Sequence, residues 1–184
     1  LIARVQTMPG FGAEEKLDMF RTLVAAGVKL APNEKLSYAT EALKRGMPNE
    51  TVQQLEPAIA SGEVASNADN QKLLSDAKSA VAGDKTSLAK EASDALAKGT
   101  SSTIAKIGEA QLSYGDDAKA IEMLQKALDK GISDAAEADA AKLHLGIAQY
   151  RAGQKDAART TWGGITAGIP GVLAHNWVVI SNTK

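Results

Sequence analysis

Leu145-Gly146-Ile147-Ala148-Gln149-Tyr150-Arg151-Ala152-Gly153-Gln154 restates an earlier segment of the same chain, Ile107-Gly108-Glu109-Ala110-Gln111-Leu112-Ser113-Tyr114-Gly115-Asp116. Each copy leads into a second stretch of one pattern, Ala120-x-x-x-Leu124-x-x-Ala127-Leu128 and Ala158-x-x-x-Trp162-x-x-Ile165. A small residue and a large apolar one four positions apart share one face of a helix, which suits two helices that approach closely. The expectation is a chain built from repeated helical hairpins.

The same reading extends toward the N-terminus. Ala, Leu, Lys, Glu and Gln dominate, and apolar residues recur at helical spacing, as in Leu17, Phe20, Leu23 and Val24. Gly27, Gly62, Gly99, Gly131 and Gly168 each close an apolar helical stretch at intervals of 32 to 37 residues. A second series, Gly46, Gly83, Gly115 and Gly153, lies about midway and precedes turn-forming residues, so it marks tight turns inside hairpins. The spacing predicts helices over 13–26, 33–45, 48–61, 69–82, 84–98, 101–114, 116–130, 136–152, 154–166 and 170–181. Pro48 suits a first helical position, whereas Pro57 is expected to kink its helix or end it early. Trp177-Val178-Val179-Ile180 has strand-like composition, but Pro170 and Leu173 precede it at helical spacing, and it is read as a terminal helix.

Bulk composition bounds the function. The 184 residues carry 21 Lys plus Arg against 22 Asp plus Glu, and aromatic residues make up 4%. With neither a positive field nor stacking platforms, nucleic acid is not an expected partner. The chain has no cysteine, which removes disulfides, thiol nucleophiles and thiolate metal ligands. No apolar stretch reaches the roughly 20 residues of a membrane-spanning helix, so no membrane insertion is expected. The start at Leu1 rather than methionine carries the expectation of an upstream part that could include an export signal.

Residues 101–168 resemble the tetratricopeptide repeat, a helix-turn-helix unit of about 34 residues with Leu-Gly and an aromatic on the first helix and Ala-x-x-x-Phe on the second. Ile107-Gly108 and Leu145-Gly146 match the first pair, and Ala120/Leu124 and Ala158/Trp162 match the second. Residues 32–62 are a weaker copy, with Tyr38-Ala39 and Thr51/Leu55 in those places, and 69–99 are weaker still, with Leu88/Ala92. As a whole the chain is similar to the C-terminal part of bacterial tetratricopeptide-repeat proteins of unassigned role, some of them exported. The resemblance implies an all-α, right-handed superhelix over 1–184. Its repeats are 1–31 (partial), 32–66, 67–100, 101–135 and 136–168, and 169–184 is a capping helix in which Val172, Leu173, Trp177 and Ile180 cover the last repeat. It further implies a concave face, lined by first helices, that holds a peptide or protein segment. Location in a bacterial periplasm or outside the cell rests on the same resemblance, with the cytoplasm as the alternative.

The face turned away from the second helices would carry Leu36, Thr40, Leu43 and Lys44, then Ala105, Glu109, Leu112 and Ser113, then Leu143, Ile147, Tyr150 and Arg151. Ala105 and Glu109 stand where one tetratricopeptide subgroup places residues that grip chaperone carboxylates, so no such clamp is expected. Two readings of the face are open. It is an apolar groove for a partner segment, or its residues cover one another, an upstream part or a second copy of the chain.

Little else suggests chemistry. His144 and His175 are the only histidines. Neither has a second His or a carboxylate at ligand spacing within its helix, so no metal site is expected, and His144 is read as a helix-surface or edge residue. Glu14-Glu15, Asp116-Asp117 and Glu137/Asp139 read as first-turn and capping carboxylates rather than acid/base pairs. No phosphate-binding loop, nucleophile elbow or dinucleotide fingerprint occurs, and Gly163-Gly164 reads as a helix end. The expectation is a non-catalytic scaffold without cofactor that binds a protein or peptide. The alternative is a structural subunit that self-associates or packs against its own upstream repeats.

Overall fold

The computed structural model describes residues 2–183, and among them every regular element is a helix. These are α1 (Ile2–Gln6), α2 (Ala13–Ala25), α3 (Pro32–Lys44), α4 (Pro48–Ala60), α5 (Ala68–Lys98), α6 (Ser101–Tyr114), α7 (Asp117–Lys130), α8 (Ala135–Arg151), α9 (Lys155–Gly163) and α10 (Gly168–Thr183). The chain divides into two compact units, Phe11–Ser87 and a second made of Leu1–Gly10 with Leu88–Lys184.

In the unit Phe11–Ser87, α3 and α4 form an antiparallel hairpin, and α2 lies against α3. Pro48 occupies the first turn of α4, where its missing N–H costs nothing. Pro57 does not end that helix, which runs on to Ala60. An apolar cluster of Ala39, Leu55, Ala58, Val64 and Leu74 ties α3, α4 and the start of α5 together, with Leu36, Val52, Ile59 and Leu73 packed against it.

Within the second unit, α6 pairs with α7 and α8 with α9, and α10 lies over both α8 and α9. The two hairpins close on the same kind of contact. A Cβ built on Gly108 would stand 2.9 Å from Leu124 Cγ, and one on Gly146 would stand 2.2 Å from Trp162 Nε1. In each pair a glycine on the first helix admits a large side chain from the second. The caps are made by side chains that favour them: Thr100, Asp116 and Asp134 accept from the backbone N–H groups of Thr103, Lys119 and Glu137. Gly115 ends α6 at φ +80, and its N–H bonds back to carbonyls of the last turn.

One expected turn is absent. Residues 69–82 and 84–98 were expected to meet at Gly83, yet α5 is a single 31-residue helix that passes through it. Gly83 has no positive φ, unlike Gly46, Gly115 and Gly153, and no proline interrupts the run. The flanking Ala80, Val81, Ala82, Asp84 and Lys85 all tolerate helix, so a single glycine, costing about 1 kcal/mol relative to alanine, is too weak a breaker. No residue between Ala77 and Ala92 is buried. Gly99 is the other exception, since it ends α5 without entering the left-handed region.

The terminal segment is helical as expected, with Leu173, Trp177 and Ile180 buried and Val172 half-buried. The terminal helix begins at Gly168 and reaches Thr183, two residues beyond the expected span at each end. α9 stops at Gly163, three residues short of the expected end, and Gly164 caps it.

Candidate functional site

The proposed face residues fall into two groups. On α3, Lys44 is exposed, while Leu36, Thr40 and Leu43 are half-buried. Leu36 packs on the apolar cluster of its unit, and the Thr40 hydroxyl donates to the Leu36 carbonyl at 2.8 Å. In the other unit, Ala105, Glu109, Leu112, Ser113, Leu143 and Ile147 are all buried. Tyr150 is half-buried, and Arg151 alone of that group is exposed.

Tyr150 does not turn away from the second helix of its hairpin. Its ring centroid lies 6.1 Å from that of Trp162 on α9 and 6.0 Å from that of Trp177 on α10, and the two indoles stack at 5.5 Å. The reason is α10, which covers both helices of the hairpin and draws the aromatic edge of α8 into a three-ring cluster. Trp162 is fully buried and its Nε1 donates to the Leu143 carbonyl at 3.2 Å. Arg151 reaches back to α6 and α7: Nη1 donates to the Leu112 carbonyl at 3.1 Å, and Nε lies 3.0 Å from Asp117 Oδ1. Desolvation nevertheless dominates at Asp117 and raises its pKa above the ordinary carboxylate value, with Arg151 opposing the shift.

His144 corrects the expectation of a surface residue. It is 3% exposed, because α8 is flanked on several sides by α6, α7, α9 and α10. Its Nε2 lies 3.9 Å from Glu109 Oε1 of α6, so a carboxylate does approach it, from another helix rather than its own. Spacing within one helix gave no sign of this pairing.

The sequence reading also missed a buried polar cluster in Phe11–Ser87. Arg21 on α2 meets Glu50 on α4 through Nη2 at 2.6 Å and Nε at 3.1 Å, and its Nη1 donates to Asp18 at 2.8 Å. The Tyr38 hydroxyl donates to the same Glu50 at 2.8 Å, and its ring stacks on Phe20 at 5.4 Å. Burial pushes the Tyr38 phenol well above its usual value, and the Glu50 carboxylate adds to the effect. The available signal was a run, Leu17-Asp18-Met19-Phe20-Arg21, in which charges interrupt a fully buried stripe. Buried charges of this kind require partners.

Outside these clusters, a cleft of about 560 Å³ lies between α1 and the N-terminal half of α10, lined by Arg4, Met8, Thr166, Gly168, Gly171, Val172, His175 and Asn176. A Cβ on Gly171 would stand 3.1 Å from the Thr166 carbonyl carbon, so the first turn of α10 rests directly on the preceding backbone. No family model matches the chain, and neither does any curated protein or solved structure.

Proposed function

We propose that this chain is a non-catalytic scaffold that holds a protein or peptide segment, built from tetratricopeptide-like hairpins in a right-handed superhelix. The observation supporting it is the shared closure of two hairpins, Gly108 against Leu124 and Gly146 against Trp162. That contact is what the resemblance requires of its Leu-Gly and Ala-x-x-x-Phe positions. The partner-facing residues in this reading are the exposed Lys44 on α3 and Arg151 on α8, with the half-buried Leu36, Thr40, Leu43 and Tyr150 beside them on the same helices. Glu109, Leu112, Ser113 and Ile147 serve packing instead. Residence in a bacterial periplasm or outside the cell belongs to the same proposal.

Burial of those four residues withdraws them from a partner groove, and the second reading is a structural subunit that self-associates or packs against its own upstream repeats. Crosslinking in the native compartment separates the two, using the parent and a Leu43→Asp, Lys44→Glu variant matched by circular dichroism. The scaffold reading predicts one identified protein that rebinds the purified parent and loses affinity for the variant. Light scattering that shows a dimer, with no other protein crosslinked, would overturn it in favour of self-association.

A further inference from the structure

We propose that the cleft between α1 and α10 binds a carboxylate carried on a short apolar stem. Its size falls within the range of ligand pockets, roughly 300–1,000 Å³. Arg4 and His175 both line it, and none of the described residues that line it is acidic. Among the described residues, neither the Arg4 guanidinium nor the His175 imidazole has a hydrogen-bond or ion-pair partner. The contrast with other arginines is direct: Arg21, Arg45, Arg151 and Arg159 each meet a carboxylate.

The charge at this cleft is therefore uncompensated, and concave walls concentrate its field. α10 begins at the same place without an acidic residue in its first turn, so its end adds to the positive potential. Met8 and Val172 supply apolar wall beside the Arg4 guanidinium. An Arg guanidinium pairs with a carboxylate through two parallel N–H···O bonds, and the Thr166 hydroxyl offers a further donor. Neutral or cationic ligands would leave that field unanswered. The inference does not depend on the scaffold reading, because none of the residues that line the cleft is among those assigned to partner contact there.

The carboxylate could belong to a small organic acid or to the C-terminus of a peptide. The test uses the full chain, labelled with ¹⁵N and titrated at constant ionic strength with hexanoate, hexanamide, and a short Val-ending peptide with a free or amidated C-terminus. Saturable amide shifts are expected at Gly168, Gly171 and His175 with hexanoate or the free-acid peptide, and whichever binds more tightly names the source. Arg4→Gln, at an exposed position, should weaken binding by about tenfold or more, and His175→Gln by less. Equal shifts from the neutral analogues, no saturable response to either acid, or unchanged affinity in Arg4→Gln would each overturn the proposal.

Discussion

Replacing Gly146 by alanine adds one methyl group where the fold has no room for it. The new Cβ would stand 2.2, 2.5 and 2.6 Å from Nε1, Cε2 and Cδ1 of Trp162. That indole is 1% exposed and stacked on Trp177, so it cannot swing into solvent. Overpacking of this kind costs about 1–3 kcal/mol. Displacing the ring also breaks its hydrogen bond to the Leu143 carbonyl, which adds about 1–2 kcal/mol because both groups are buried. Alanine recovers about 1 kcal/mol of helix propensity, leaving a net loss of about 2 kcal/mol. Both tryptophans of the chain belong to the unit that contains α6–α10, so urea denaturation followed by tryptophan fluorescence reports on that unit alone. Two substitutions calibrate the result. Gly108→Ala presses less closely, on the buried Leu124 with Cγ at 2.9 Å and the backbone N at 3.3 Å, and should cost about 1 kcal/mol net, whereas Gly163→Ala meets nothing within 4 Å and should cost nothing. A Gly146→Ala protein within about 0.5 kcal/mol of the parent would refute the reasoning, because the hairpin would then not close on that glycine.

Two further perturbations test the other unit and the helix that enters it. Gly83→Ala should stabilise the chain by about 0.5–1 kcal/mol, since Gly83 is helical, exposed and open on its Cβ side; a loss of stability in thermal melts would mean that a turn forms there after all. Tyr38 carries a folded pKa above its unfolded value of about 10, so the stability it contributes is present below that pH and lost as pH rises through the folded value. Tyrosinate absorbance should show a late-titrating component that Tyr38→Phe removes; removal of a component centred near the ordinary tyrosine value would contradict the burial of the phenol beside Glu50.

Helix positions were legible because glycine, proline and apolar spacing act locally. Gly115 and Asp116 illustrate this: one enters the left-handed region at the end of α6, the other caps α7, and both follow from residue type alone. Gly83 was misread because a glycine within a run of helix-compatible residues resembles a glycine in a turn. Its neighbours, not its own freedom, decide the outcome. The candidate face was less legible than the helices. Spacing on α6 and α8 located Glu109, Leu112 and Ile147 on one stripe, but whether a stripe faces solvent depends on what the rest of the chain lays over it. Arg4 was out of reach for the same reason. It lies in α1, more than 160 positions from His175, and only the folded chain brings both to one cleft.

The long exposed middle of α5 has a consequence for how this sequence can change over time. From residue 78 to 91 no side chain is buried, so packing constrains identity weakly there, and mainly at the half-buried Ala80, Val81, Asp84, Ser87 and Leu88. At the exposed positions between them, only the ability to remain helical and soluble is under constraint. Descendants of this chain should therefore diverge fastest across that stretch, exchanging Lys, Glu, Gln and Ala freely while excluding proline, and leave Leu74 and Ala77 on one side and Ala92 and Ala95 on the other as fixed points.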